Sequence, residues 1–429
     1  MFRLATRGVE RCIHQARTDT CTVFARSFAS LSNTEIWLLR RGSRTARNPE
    51  NKSFNYRSTR QIRTICTRSL NTMASDQSKP LVLVTGGSGF IGAHCLLALI
   101  KTSSYRLRTT VRSSSKNNSV KSQLEYGGAD LASINAIEFC EADLTKDDGW
   151  DAAVSGCDYI LHVASPFPPK APKHEDELII PAREGTLRVL RAAKKAGVVK
   201  RLVVTSSVAA VGYGHGDVNR PFTEEDWSNV DADIPAYPKS KTLAERAAWE
   251  YAKQEGLELS VVNPVGVYGP LLGKEQYSTS IELIIRLMNG SIPGLPDIGF
   301  GVVDVRDVVD LHIRAMTDPK AVGERFIAVA GEDEAMKVQE IAMVLKERLG
   351  SKASKVPTRV VPHFVVKLLG LFDPTVKMIV PDLGKRRVSS NKKAREVLGW
   401  QPISSADSVV ATAESLEKLG MIKTCLSIG

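Results

Sequence analysis

Short apolar runs alternate with amphipathic helical patterns from residue 80 to residue 263. Several runs are apolar at nearly every position, as parallel strands covered on both faces are. We predict helices over Phe90–Ile100, Glu184–Ala196 and Tyr237–Glu255, and the last two end at glycine C-caps. This alternation predicts an α/β fold with a doubly wound parallel sheet. The predicted strands are Leu81–Val84, Leu107–Val111, Ile137–Cys140, Tyr159–Val163, Arg201–Thr205 and Leu257–Val262.

The pattern changes after Pro264, where proline and glycine become frequent and the amphipathic segments shorten. We expect residues 264–424 to form mainly a smaller lobe that binds substrate at the carboxyl ends of the strands, where open α/β sheets bind ligands. Residues 79–263 would form the larger domain. The helices predicted for the smaller lobe are Ile281–Met288, Val305–Met316 and Val338–Leu349.

A glycine triplet follows the first predicted strand directly, in the order strand, TGGSGFIG, helix. Gly86 can make a tight turn at positive φ, Gly89 lets the backbone approach a pyrophosphate, and Gly92 lets the helix pack close to the strand. The N–H groups at the helix start, where Phe90 and Ile91 lie, would face the anion. The larger domain is therefore predicted to bind a dinucleotide, and a glycine-rich hairpin turn is the alternative.

The residue that ends the second predicted strand indicates which dinucleotide binds. NAD sites usually place Asp or Glu there for the ribose 2′-hydroxyl. This chain has Arg112, with Lys116 four residues on and no carboxylate before Glu125. A guanidinium can bind a 2′-phosphate through two hydrogen bonds, whereas a carboxylate would repel it. We therefore predict NADP(H), and a solvated basic loop is the alternative.

The segment YPKSK opens a predicted helix and places Tyr237 and Lys241 four residues apart, on one helix face. A phenol has a pKa of about 10, and a neighbouring ammonium favours its ionised form. Tyr237 could then act as a general acid in carbonyl reduction. Of the two serines that close the fifth strand, Ser206 and Ser207, we favour Ser207 to hold the substrate oxygen. The alternative is a tyrosine packed in the core beside a solvated lysine.

The net charge of the chain is concentrated at its amino terminus. The formal net charge is +11, but residues 1–75 hold fourteen Lys and Arg against four Asp and Glu. The nearly neutral remainder gives no electrostatic support for nucleic-acid binding. We expect residues 1–75 to be a disordered leader, either a mitochondrial transit peptide or an upstream extension without a role. The protein is expected to be cytoplasmic, or mitochondrial if the leader is a transit peptide.

The residue spacing indicates neither a metal site nor a membrane span. The seven cysteines include no CxxC pair and no Cys/His cluster, so we predict no metal and no disulfide framework. No run of about 18 apolar residues occurs, so no membrane span is predicted. The predicted partner is a small-molecule aldehyde or ketone, bound by a monomer or a homodimer.

Further segments carry a resemblance to a known family. They are ADL (142–144), LHVASPF (161–167), TSS (205–207), YPKSKTLAERAAW (237–249) and LGW (398–400) followed by Pro402. Together with the glycine triplet, they resemble the extended short-chain dehydrogenases/reductases, in the NAD-dependent epimerase/dehydratase superfamily. VASPF and SKTLAE are similar to the dihydroflavonol-4-reductase-like aldehyde and ketone reductases. The resemblance covers residues 79–423.

The resemblance implies a Rossmann fold, NADPH as cofactor, and a catalytic triad of Ser207, Tyr237 and Lys241. It also implies that Tyr237 and Lys241 contact the cofactor. Further cofactor contacts are implied for Asp143 and Leu144 beside the adenine, for Val163, Ala164 and Ser165 along the cofactor, and for Pro264 and Val267 near the nicotinamide.

The predicted function is NADPH-dependent reduction of a small aldehyde or ketone, by an oxidoreductase acting on CH–OH groups with NAD(P) as acceptor. One alternative is a nucleotide-sugar epimerase or dehydratase that uses bound NAD. Another is a non-catalytic NADP(H)-binding regulator or scaffold. Aromatic residues that follow strand ends are candidates for the substrate pocket, with core packing as the alternative. They are Phe167, Tyr213, Tyr268 and Tyr277.

Overall fold

The computed structural model describes residues 78–166, 174–216, 218–276, 278–331, 335–372, 376 and 379–422. These residues belong to one compact unit, Ala74–Gly429. The predicted leader lies outside the described residues, and so do Phe167 and Tyr277, two of the four residues predicted to line the substrate pocket. No helix within the described part of the chain is long and apolar enough to cross a membrane.

The described elements alternate between strand and helix as far as β6. The strands are β1 (Leu81–Val84), β2 (Arg106–Val111), β3 (Glu138–Glu141), β4 (Tyr159–His162), β5 (Arg201–Thr205), β6 (Leu259–Pro264), β7 (Gly266–Tyr268), β8 (Gly299–Phe300), β9 (Val302–Asp304), β10 (Arg325–Ala328) and β11 (Met336–Lys337). The α-helices are α1 (Phe90–Thr102), α2 (Asn117–Tyr126), α3 (Leu131–Asn135), α4 (Trp150–Val154), α5 (Asp176–Ala196), α6 (Ala236–Glu255), α7 (Thr279–Asn289), α8 (Val305–Thr317), α9 (Val338–Leu349), α10 (His363–Leu369), α11 (Lys392–Leu398) and α12 (Ser405–Lys418).

Seven strands form one sheet in the order β10-β6-β5-β4-β1-β2-β3, and every pair is parallel. The order confirms the predicted α/β fold with a doubly wound parallel sheet. All six predicted strands occur, each within two residues of its predicted ends. The chain builds β2 and β3 on one side of β1 and then returns to its other side for β4. The crevice outside the carboxyl ends of β1 and β4 is therefore the topological switch point, where sheets of this kind bind ligands.

Both faces of this sheet are covered, which explains the continuous apolar runs in its strands. Alternate residues of a strand point to opposite faces. Val82 and Val84 belong to the apolar layer that includes α1 and α8, whereas Leu81 and Leu83 belong to the layer that includes α5 and α6. The burial of these two apolar layers makes the largest favourable contribution to the free energy of folding of the sheet.

The seventh strand, β10, was missed by the sequence reasoning. Its four residues, RFIA, are buried along the whole strand and pair with β6. A strand of four residues that begins with an arginine carries no periodicity that separates it from the segments around it. Helix α8 also lies beyond residue 263, yet it packs on the large sheet against α1, β5 and β6. The chain therefore returns to the large sheet after residue 263.

Helix α11 also packs against β10 and α8, and most of the other elements after β6 form a lobe with an apolar centre of its own. Helices α7 and α9 pack against α12, and two small sheets, β11 with β8 and β7 with β9, complete it. Residues 386–389 connect this lobe to the loop that follows β5, because Arg386 pairs with Gly299 and Ser389 pairs with Phe222. The lobe is thereby held against the loop that leads into helix α6.

Candidate active site

The turn between β1 and α1 requires glycine at two positions. Gly86 has a φ of +70°, a conformation that residues with a side chain rarely adopt. A Cβ atom on Gly92 would lie 2.3 Å from the carbonyl oxygen of Gly86. Because that oxygen belongs to the backbone of the turn, any larger residue at position 92 would displace the turn itself.

The start of α1 is suited to binding an anion. Gly89 is the N-cap residue, no side chain caps the helix, and its first turn, which begins with Phe90 and Ile91, holds no acidic residue. The first N–H groups of a helix lack acceptors within the helix, and the helix dipole adds positive potential there. This helix start therefore fits the pyrophosphate of the predicted NADP(H).

The residues after β4 lie directly beside the glycine turn. The Thr85 hydroxyl accepts a hydrogen bond of 3.0 Å from the backbone N–H of Ala164. The Ala164 Cβ atom would be 3.0 Å from a Cβ atom built on Gly86. Val163 and Ala164 are half-buried and Ser165 is exposed. The three residues thus flank the crevice at the switch point, which is the placement expected of residues that line a dinucleotide.

Arg112 and Asp143 lie near each other across the carboxyl ends of β2 and β3. Asp143 Oδ1 accepts hydrogen bonds from the N–H and the hydroxyl of Thr145, each at 2.9 Å. The Thr145 N–H, and then the positive charge of Arg112, hold the pKa of the Asp143 carboxyl below its usual value. Leu144 is buried, and Arg112 and Lys116 are exposed. The exposed cations are therefore free to reach a phosphate at this edge.

A carboxylate that the sequence does not predict to be there, Glu141 at the end of β3, lies beside the turn that follows β2. Glu141 Oε2 accepts a hydrogen bond of 2.9 Å from the backbone N–H of Ser114. Glu141 lies far from Arg112 in the sequence, but the pairing of β3 with β2 brings it to the residues that follow Arg112. The turn is therefore less positive than predicted.

We expect Arg112→Asp to raise KM for NADPH by roughly tenfold or more and to leave KM for NADH almost unchanged, because a carboxylate repels a 2′-phosphate and accepts from a ribose hydroxyl. Initial rates at varied coenzyme concentration measure both values. Lys101→Asp makes the same change of charge in the last turn of α1, at the end of that helix away from the glycine turn, and should alter neither. Equal effects of Arg112→Asp on the two coenzymes would contradict the assignment.

Helix α6 brings the predicted catalytic pair to the crevice. Tyr237 is the second residue of this helix and keeps 39% of its surface exposed. The Lys241 Nζ atom lies 5.9 Å from the centroid of the Tyr237 ring. It also donates a hydrogen bond of 3.1 Å to Ser165 Oγ. The ammonium thus lies beside the Tyr237 ring, as the spacing of four residues predicted. It also contacts Ser165, one of the residues along the crevice.

Ser207 follows β5 and lies between two neighbouring elements of the site. It is the N-cap residue of the 3-10 helix Val208–Ala210, and its Oγ atom accepts a hydrogen bond of 3.1 Å from Ala209 N–H. The same hydroxyl lies 3.5 Å from the Pro264 carbonyl oxygen, to which it donates. The 3-10 helix packs against α6. Sequence-distant segments therefore meet at Ser207, next to the helix that carries Tyr237.

A small cavity with several polar side chains in its lining distinguishes the two serines at the end of β5. His162, Ser206, Lys241 and Glu245 are among its lining residues. Ser206 is buried, and its Oγ atom has no hydrogen-bond partner in the described part of the chain. Burial, and then the charge of Lys241, lower the pKa of the His162 imidazole to about 3, so this ring is neutral. Ser206 therefore faces the interior, and the half-buried Ser207 is the serine on the accessible side.

The other predicted site residues divide between crevice and core. Pro264 ends β6, and Val267 is half-buried in β7, where it pairs with Val303. Tyr268 is fully buried in the apolar centre of the lobe, so core packing describes it better than pocket lining. Tyr213 lies beneath the Arg387 guanidinium, 4.0 Å from the ring centroid, and burial raises the pKa of its phenol.

A model of the NAD dependent epimerase/dehydratase family matches residues 82–330, which include the glycine turn, the residues after β4 and the pair Tyr237 and Lys241. The chain belongs to this family. Cinnamoyl-CoA reductase CAD2 of Medicago truncatula is 33% identical over 334 residues, which span 74% of this chain and 100% of that protein. An anthocyanidin reductase of Vitis vinifera is 32% identical over 317 residues, which span 70% of this chain and 87% of that protein.

This epimerase/dehydratase family member is also similar to solved structures. The yeast methylglyoxal/isovaleraldehyde reductase Gre2, solved as a complex with NADPH, is 27% identical, with a TM-score of 0.64 over 80% of this chain and 100% of Gre2. These comparisons confirm the predicted family and the Rossmann-type fold. They also agree with the prediction of an oxidoreductase that uses NADP(H). The roles of individual residues and the domain boundaries stay predictions.

Proposed function

We propose that the chain is an NADPH-dependent reductase of small aldehydes or ketones, with Ser207, Tyr237 and Lys241 as its catalytic residues. The observation that carries this proposal is the place of Tyr237. Its partly exposed phenol lies beside the Lys241 ammonium, which in turn contacts Ser165 next to the glycine turn. Relatives named as reductases and a neighbour solved with NADPH support the same reaction.

When bound, NADPH would supply a hydride to the carbonyl carbon of the substrate. The Ser207 hydroxyl would donate a hydrogen bond to the carbonyl oxygen and hold it while negative charge develops there. Tyr237 would give its proton to that oxygen as the C–H bond forms, which leaves an alcohol and a phenolate. The Lys241 ammonium would stabilise the phenolate by its charge until a proton from solvent restores the phenol.

The glycine turn and the basic edge would hold the cofactor. Gly86, Gly89 and Gly92, with the N–H groups of Phe90 and Ile91, would bind the pyrophosphate. Arg112 and Lys116 would bind the 2′-phosphate, and Asp143 and Leu144 would flank the adenine. We also infer a monomer or homodimer in the cytoplasm, or in mitochondria if residues 1–75 act as a transit peptide.

A panel of aldehydes and ketones, including methylglyoxal and isovaleraldehyde, tests the proposal through the fall of NADPH absorbance. We expect stoichiometric oxidation of NADPH with at least one carbonyl, and slower oxidation of NADH. A nucleotide-sugar epimerase or dehydratase would convert its substrate without net loss of the coenzyme. NADPH binding without turnover of any carbonyl, by a protein with an intact thermal transition, would contradict the reductase proposal and favour a binding protein.

A further inference from the structure

The catalytic helix α6 carries a buried carboxylate one turn beyond Lys241. The Glu245 side chain has no exposed surface, and its Oε1 atom forms an ion pair with Arg325 Nε at 2.8 Å. Arg325 belongs to β10, and its guanidinium lies 3.9 Å from the centroid of the Trp227 ring. A buried carboxylate needs such a countercharge, because an isolated charge in the interior is strongly unfavourable. Glu245 is therefore held in place by Arg325 of β10, the strand at the edge of the sheet.

The second oxygen of this carboxylate is held by a buried amide. Asn263 Nδ2 donates a hydrogen bond of 2.8 Å to Glu245 Oε2, and Asn263 has no exposed surface. The same nitrogen donates to the backbone carbonyl oxygen of Ser207 at 3.2 Å. Nδ2 has two hydrogens, one for each acceptor. Asn263 therefore connects the helix of Tyr237 and Lys241 to the main chain of Ser207.

The sheet itself does not hold Ser207 at this point. The last pair of the β5–β6 ladder is Thr205 with Val262, and the Ser206 N–H donates the final backbone hydrogen bond to Val262 at 2.8 Å. Beyond that bond, the hydrogen bonds found between Ser207 and the end of β6 in the described residues are those of the Asn263 amide and, at 3.5 Å, of its own hydroxyl with Pro264. The amide thus extends the connection between the two strands beyond the ladder.

We propose that Asn263 is a positioning residue for Ser207, and that it sets the spacing between the serine hydroxyl and the Tyr237 phenol by tying both to Glu245. The inference rests on the proposed function. Its chemical basis is that both neighbours, a carboxylate and a backbone carbonyl, are acceptors, so only a side chain with two donor hydrogens satisfies both. Both hydrogen bonds that the structure gives the Asn263 side chain are made by its amide nitrogen.

The test begins with Asn263→Ala, with isovaleraldehyde or the best carbonyl of the panel as substrate. Displacing a reacting group by about 1 Å can cost on the order of 10²-fold in rate. We therefore expect kcat to fall by roughly 10²-fold, and the dissociation constant of NADPH, measured by fluorescence titration, to change less than about threefold, because the glycine turn is untouched. An unchanged kcat in a folded variant would overturn the proposal.

Asn391→Ala is a matched control for the loss of a buried amide. Asn391 is 1% exposed, its Nδ2 atom donates to the Val329 carbonyl oxygen at 2.8 Å, and its Oδ1 atom also lacks a partner in the described part of the structure. Its acceptors follow β10 instead of β5. We expect a similar fall in the melting temperature for both variants, but a fall in kcat only for Asn263→Ala. Equal losses of kcat would indicate a merely structural role.

A double-mutant cycle with Ser207→Ala separates this inference from the function on which it rests. If Asn263 acts through Ser207, Asn263→Ala should lower kcat less than about twofold in the Ser207→Ala background. The same loss in both backgrounds would overturn the positioning role and leave the proposed function intact. A wild-type kcat for Ser207→Ala alone would instead contradict the role proposed for Ser207. If Asn263→Ala fails to bind NADPH, Asn263→Ser, whose hydroxyl can serve only one acceptor, repeats the cycle.

Discussion

Tyr237→Phe should lower kcat for carbonyl reduction by about 10³-fold, which corresponds to about 4 kcal/mol of transition-state stabilisation. The ring and its place beside Lys241 would remain, and only the proton donor would be lost. NADPH should bind with nearly the affinity of the wild type, because the glycine turn and the basic edge are unchanged. Stopped-flow or steady-state absorbance, together with a fluorescence titration, would measure both quantities.

Tyr126→Phe is the control for this substitution. Tyr126 is the last residue of α2 and is 52% exposed, and no site residue depends on its hydroxyl. This variant should keep the wild-type kcat. A Tyr237→Phe enzyme that retains a tenth or more of the wild-type turnover would assign proton donation to another group.

The second large effect is expected for Gly92→Ala, which should weaken NADPH binding by at least about 30-fold, or about 2 kcal/mol. The added methyl group would lie 2.3 Å from the Gly86 carbonyl oxygen. Since that distance is far below van der Waals contact, either the turn or the start of α1 must move, and both are placed to hold the pyrophosphate. Isothermal titration with NADPH would measure the loss.

Gly156→Ala serves as the comparison for Gly92→Ala. Gly156 has a φ of +71° with open space around the added Cβ atom, so alanine there should cost about 1 kcal/mol of stability through backbone strain alone. It follows α4, and NADPH affinity should not change. If Gly92→Ala binds NADPH as tightly as Gly156→Ala does, the glycine turn is not the pyrophosphate site.

The features that the sequence predicts well are local ones. Three glycines after a strand, and a tyrosine and a lysine four residues apart, fix their own geometry through turn and helix spacing. For this reason Gly86 adopts positive φ and Lys241 lies beside the Tyr237 ring, as expected. The central strands β1, β5 and β6 were likewise found because burial on both faces leaves a continuous apolar signal.

The features that the sequence does not predict depend on contacts between distant segments. Glu141 reaches the basic turn only because β3 pairs with β2. Glu245 contacts both Asn263 and Arg325, which lie on the neighbouring strands β6 and β10. No sequence motif relates these three residues to one another. Tyr268 is an aromatic residue near the end of a strand, which is why it was predicted to line the substrate pocket. Only the packing of the lobe shows that it is buried. Predicting contacts of this kind requires the order of the strands in the sheet, and the hydrophobic periodicity of the sequence does not give that order.

The origin of β10 restricts how this protein can be recombined with its relatives. The outermost strand beside β6 comes from chain that has already passed through β7, α7 and β9. A chimera spliced once near residue 263 would exchange that strand together with the lobe and replace Arg325, the countercharge of Glu245. Exchanging the lobe while keeping β10 therefore calls for at least three crossovers, the one near residue 263 and one on each side of β10.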